Sequence, residues 1–282
     1  MTTLAGPLLA LASALAYGVA DFAGGMLSRR RPAVAVVGVS QACSLVALVV
    51  IVAVVGLPGN ARWLPWSILA GVAGATGLTC FYRALAYGTV GVVSPISALG
   101  VALPVIVGLA GGEQPAGVQL AGLVLALVGA VLASGPELRG EHHVKSQAVW
   151  FAVAAAVGFG LALLAIARGS AYSPLMTMTG MRATSVTGFA ILALVTRSVG
   201  GIRPRELPAL AALGLADIGA NLLIGVATTL ALLSVSAVLS ALYPVVTVAL
   251  AAVILHERMR PIQVMGTILA LVGVLLIAVP AG

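Results

Sequence analysis

Four charged side chains interrupt otherwise apolar sequence: Asp21, Arg83, Arg182 and Asp217. A charge near the bilayer centre costs at least about 2.5 kcal/mol unless it faces protein or water, so each marks a structural ion pair or a binding position. Asn221 follows Asp217 by four residues, which places both on one face of a helix, as a lined cavity requires. The Asp217 carboxylate would there ligate a substrate amine or carry a coupling proton; the competing reading is a structural bond to Arg83 or Arg182. Asp21 has the same two roles open to it, against an interfacial pairing with Arg29, eight residues further on. Arg83, beside Tyr82, could hold a substrate carboxylate, neutralise Asp21 or snorkel to the headgroups. Tyr243 and Pro244 join a phenol hydroxyl to a backbone lacking one helical hydrogen bond, which can present carbonyls to a cavity. Arg182 reads as structural, bonding helix ends or carbonyls. Glu113 and Glu257 also read as structural, accepting bonds from the N-terminal amides of the next helix.

The elements that must position these groups are set by composition. Of 282 residues, 61% are apolar and 7% charged, and the mean hydropathy is +1.19, which excludes a water-soluble enzyme. Apolar runs between Pro, Gly and charge breaks predict an all-α integral membrane protein with ten transmembrane helices. Five fall near 7–25, 33–56, 64–87, 91–111 and 116–134, and five near 148–167, 175–196, 207–232, 236–255 and 262–280. The first run lacks a preceding Lys or Arg and outlasts a signal-peptide core, so it is expected as a retained helix. The polar stretch PELRGEHHVKSQ divides the chain into residues 1–136, a connector at 137–147, and residues 148–282. Cys43, Cys80, His142, His143 and His256 form no metal-ligand cluster, so no metal and no cofactor are expected.

The two parts repeat. At a shift of 144 residues, Glu113, Gln119, Gly122 and Gly129 fall on Glu257, Gln263, Gly266 and Gly273. Near a shift of 142, Tyr17 and Gly18 fall on Phe159 and Gly160, and Pro32 on Pro174. Five helices per repeat force the second copy to enter the bilayer from the opposite face, giving two five-helix inverted repeats with a site between them. Gly71, Gly74 and Gly77, three apart on one stripe, are read as packing devices.

The Glu-x5-Gln-x2-Gly motif ending each half, the segment FYRALAYG at 81–88, and SALYPVV with Pro244 thirteen residues before Glu257 resemble the drug/metabolite transporter superfamily, EamA type. The resemblance covers two EamA-like repeats. It implies a ten-helix carrier of small metabolites, often an exporter, whose cavity is lined by the first, third, fourth, sixth, eighth and ninth helices. This chain departs at Gly100, which occupies the place of Pro244, and at Asp21, where a neutral residue is expected.

Basic residues in the expected loops divide unevenly. Arg29, Arg30, Arg31, Arg139, Lys145, Arg197, Arg203, Arg205, Arg258 and Arg260 fall on one side, and only Arg62 and Arg168 on the other. The positive-inside rule then places both termini outside, whereas the resemblance implies cytoplasmic termini. The basic excess is thus an orientation signal and not a nucleic-acid footprint. The expected function is a secondary transporter in the plasma (inner) membrane, moving a small metabolite, amino acid or drug-like molecule by alternating access, with protons as candidate coupling ions. No Walker loop suggests ATP as the energy source, and no HExxH or Ser/His pair suggests an enzyme. The alternative is a non-transporting structural or sensory membrane protein. One chain holds both repeats, so a monomer suffices and a homodimer stays open.

Overall fold

The computed structural model describes residues 4–28, 31–56, 60–87, 90–135, 146–197, 201–256 and 259–278, with only the backbone described at 82, 85, 86, 90 and 91. Every regular element among them is helical. The first half contains α1 (Ala5–Ser28), α2 (Ala33–Val55), α3 (Leu64–Tyr87), α4 (Val90–Ala98), α5 (Ala102–Ala110) and α6 (Gly117–Ala133). The second contains α7 (Ser146–Ser170), α8 (Pro174–Thr196), α9 (Leu207–Leu230), α10 (Leu233–Ser240), α11 (Tyr243–Ile254) and α12 (Pro261–Ile277).

Helix ends follow local chemistry. Ser173 caps α8 by accepting a 3.3 Å bond from the Met176 amide, and Pro174 opens the helix where its missing N–H costs nothing. Among the described residues, eight segments are long and apolar enough to cross a membrane, counting α4 with α5 and α10 with α11 as one each. The shorter apolar helices α6 and α12 have 17 residues each, a rise of about 25 Å against a hydrocarbon core of about 30 Å.

Two segments expected as unbroken helices, 91–111 and 236–255, are each broken near the middle. A 3-10 turn at Leu99–Val101 separates α4 from α5, and Ala241 and Leu242 separate α10 from α11. Pro244 lies in the first turn of α11, just after its break, and Pro104 in the first turns of α5. The Gly100 departure has a steric cause: a Cβ there would collide with the Ala156 carbonyl of α7. Gly160 of α7 in turn lies against Gly100 and Leu103, as Gly18 of α1 lies against Tyr243 and Val246.

Helices of the first half pack on helices of the second. Gly6 of α1 meets Ala231, Ser13 bonds the Ala220 carbonyl at 2.9 Å, and Gly24 meets Leu213, so α1 and α9 run antiparallel. Between α3 and α7, Gly74 faces Ala162 and Gly77 faces Phe159, again antiparallel. Apolar contact between helices gains little over contact with lipid, so small residues that allow close approach decide these pairings. The core accordingly includes Ala10, Ala14, Ala70, Ala126, Ala130 and Ala165. The stripe of Gly71, Gly74 and Gly77 is shared between partners, since Gly71 abuts Thr184 of α8 while the other two face α7.

Candidate functional site

Arg182 lies near the middle of α8 and is only 4% exposed. Its Nη2 pairs with Asp217 Oδ2 on α9, which answers the desolvation of the guanidinium with an opposite charge. Asn221 lies one turn beyond Asp217, but its amide donates to the Asp217 backbone carbonyl at 2.8 Å instead of pointing into open space. Ser185, on the same side of α8 as Arg182, donates to Gln41 Oε1 of α2 at 2.6 Å. The Arg182 Nε is buried and has no hydrogen-bond partner among the described residues. The Asp217 side chain stays about a third exposed.

The α1 helix completes the cluster. Its exposed apolar residues Leu8, Leu15, Val19 and Met26 form one stripe. Tyr17 and Asp21 project from the far side, since Leu8 and Tyr17 are nine residues, about half a revolution beyond two turns, apart. The rings of Tyr17 and Tyr243 meet edge to face with centroids 6.3 Å apart. Tyr17 lies within electrostatic reach of Asp217, Arg182 and Asp21, and Asp21 within reach of Asp217. Thus α1, α8, α9 and α11 bring together Tyr17, Asp21, Arg182, Asp217 and Tyr243, residues from both halves. Asp21 itself is exposed, and no ion pair or hydrogen bond is found for it among the described residues; Arg29, its suggested partner, lies outside them.

Sequence reasoning does not single out Tyr17, Gln41 and Ser185 as site residues. Tyr17 carries a readable signal, four residues before Asp21 and so on the same helical face. Gln41 and Ser185 carry none, because only the packing of α2 on α8 joins them.

Arg83 stands apart from this cluster. It is exposed on α3, in line with Ile68, Val72 and Thr76, and its guanidinium lies 5.9 Å from the Phe151 ring of α7. It borders an open groove of about 300 Å³ between α3 and α8, lined among others by Thr76, Thr79, Cys80, Gly188 and Phe189. The suggested bond from Arg83 to Asp21 or Asp217 is not made; Asp217 takes Arg182 instead. The Tyr82 side chain and all of Glu257 lie outside the described residues.

This chain matches the model of the EamA-like transporter family twice, over residues 4–135 and 146–279. The chain belongs to that family. An EamA protein of this kind is a multi-pass membrane transporter of the drug/metabolite type. A search of curated proteins finds no match. A solved protein crystal structure is similar over 98% of this chain and 96% of its own, with a TM-score of 0.77 and 17% identity, a likeness of fold.

The EamA motif at the end of the first half does structural work. Glu113 accepts bonds from the Leu233 amide at 2.5 Å and the Ser234 amide at 3.0 Å, the opening N–H groups of α10. The helix it caps is therefore in the other half, not the next one along the chain. Gln119 and Gln263 each accept from the backbone N–H three residues earlier, at Ala116 (3.1 Å) and Arg260 (2.8 Å). Gly122 and Gly129 of α6 lie against Gly273 and Ala270 of α12, so close that a Cβ at either would strike backbone. These repeated residues hold α6 to α12 and the halves to each other.

Proposed function

We propose that this EamA protein is a secondary transporter that moves a small polar metabolite, amino acid or drug-like molecule, outward across the plasma membrane, by alternating access. The reading takes all ten helices as spans and the two halves as inverted repeats, with α6 and α12 the shortest. One observation carries it: charged and phenolic side chains from both halves converge at Arg182, Asp217, Asp21, Tyr17 and Tyr243, beside the broken α10 and α11 segment. Broken helices at membrane depth are tolerated where they line a cavity or are buried in protein. Antiparallel packing of α1 on α9 and of α3 on α7 supplies the paired units that could rock about such a site. Asp21, unpaired among the described residues and exposed, is the side chain we assign to proton coupling, with Asp217 held by its partner.

Purified protein in liposomes should exchange an internal for an external labelled substrate faster than empty vesicles do, and a proton gradient should drive accumulation. Absence of exchange for a broad panel by folded protein would discard transport and leave the structural or sensory reading. Accumulation that survives replacement of Asp21 and Asp217 together by Asn would remove the proton coupling alone.

A further inference from the structure

Among the described residues, three charged side chains meet in the central cluster: the carboxylates of Asp21 and Asp217 and the guanidinium of Arg182. They leave one formal negative charge, and it is not evenly presented. Arg182 is buried and spends its charge on Asp217. Asp21 is exposed, has no bonded partner among the described residues, and projects from α1 opposite the apolar stripe of Leu8, Leu15, Val19 and Met26. Arg83, on α3 against Phe151, is not among the charges that act on Tyr17, Asp21 or Tyr243.

We propose that the cluster takes a small monovalent organic cation, with Asp21 as its counter-charge and the rings of Tyr17 and Tyr243 beside it. The inference rests on reading the cluster as the substrate site and names the class of substrate. Alternating access requires an occluded state, in which an exposed carboxylate loses its water. A neutral ligand would leave that carboxylate desolvated and uncompensated, whereas a bound cation offsets it. An anion, or the carboxyl end of a zwitterion, would meet the carboxylates of Asp21 and Asp217, while Arg182, the guanidinium of this cluster among the described residues, is buried against Asp217. The edge-to-face tyrosines add π surface that attracts cations and repels anions.

The test is equilibrium binding to the detergent-purified full chain with choline, its neutral carbon isostere 3,3-dimethylbutan-1-ol, and the zwitterion glycine betaine, with tetraethylammonium as a larger cation. The expected result is binding of at least one cation, with the isostere and the betaine weaker by about tenfold or more. The wild-type comparison between isosteres does not depend on any variant folding. Asp21→Asn should weaken the cation by a similar factor and Asp21→Glu should restore it, while Arg83→Gln changes nothing. Equal binding of choline and its isostere, or no cation binding at all, overturns the proposal, as does undiminished cation binding by folded Asp21→Asn protein. Charge-selective binding without exchange in liposomes supports the cation site while discarding transport. Exchange of an uncharged or anionic compound, unaffected by Asp21→Asn, keeps transport and discards the cation.

Discussion

The interface between α6 and α12 and the cluster around Arg182 and Asp217 are built on opposite plans. The first uses residues that recur at a shift of 144: Gln119 with Gln263, Gly122 with Gly266, Gly129 with Gly273. Each copy does the same work on the other, because two antiparallel helices of similar sequence meet face to face. The second uses charged residues with no charged counterpart, although Tyr17 falls on the aromatic Phe159. Arg182 corresponds to Ser40 or Gln41, and the ion pair it makes lies wholly within the second half, between α8 and α9. Asp21 and Tyr17 enter from the first half. Repetition in this protein thus marks what holds the halves together, and its failure coincides with the site we propose. On the proposed inverted-repeat reading the site meets one asymmetric molecule, so identical copies of its groups are not needed, whereas a helix pair gains from both copies equally.

Substitution should do most damage at the interface of α6 and α12. Gly129→Leu puts a side chain into the Ala270 backbone, and we expect destabilisation of at least about 3 kcal/mol, with most of the protein lost to aggregation in a thermal melt on detergent-purified material. A well-folded Gly129→Leu protein would show that α6 and α12 need not touch.

Next in size is Asp217→Asn, which strands the buried Arg182 guanidinium and should cost about 3 kcal/mol, the low end for a broken buried pair because Asp217 is a third exposed. Replacing both partners, Arg182→Met with Asp217→Leu, should recover much of that stability but no transport. Recovery of transport in the double variant would move the ion pair from the site to the scaffold.

Glu113→Ala removes two charge-assisted bonds to the α10 N-terminus and should cost about 2 kcal/mol, read as a lowered melting temperature with ligand affinity unchanged. A drop in affinity out of proportion to stability would make the cap part of the moving machinery instead of the scaffold.

The smallest effect on stability should come from Asp21→Asn, within about 0.5 kcal/mol, since the exposed side chain has no bonded partner among the described residues to lose. Its effect on transport should nevertheless be near complete. Should Asp21→Asn melt as early as Asp217→Asn, the contrast between a carboxylate held in an ion pair and one kept free would collapse.

Much of the helical layout is legible in sequence because the signals are local. Apolar runs bounded by Pro and Gly place α2 from Ala33 and α3 from Leu64, where the runs themselves predict them. Pro244 signals a weakened backbone inside 236–255, next to the break at Ala241 and Leu242, whereas the break inside 91–111 is not legible. Gly100 stands at a helix interruption because the Ala156 carbonyl of another helix approaches it, a fact no reading of residues 91–111 could contain. The site is legible in part. The membrane cost of charge singles out Asp21, Arg83, Arg182 and Asp217 from their apolar surroundings, but it does not say which of them meet.

Composition, the spacing of apolar runs and the 144-residue repeat by themselves determined that this chain is a helical membrane protein with two similar halves, since each of these follows from solvent, helix rise and local backbone chemistry. The tertiary structure alone decided that Asp217 takes Arg182 and leaves Arg83 against Phe151, that Glu113 caps a helix 120 residues away, and that Tyr17 stands beside Tyr243. Those choices depend on which helix faces turn toward one another, and faces are set by the close approach of small residues across the halves, which no single stretch of sequence records.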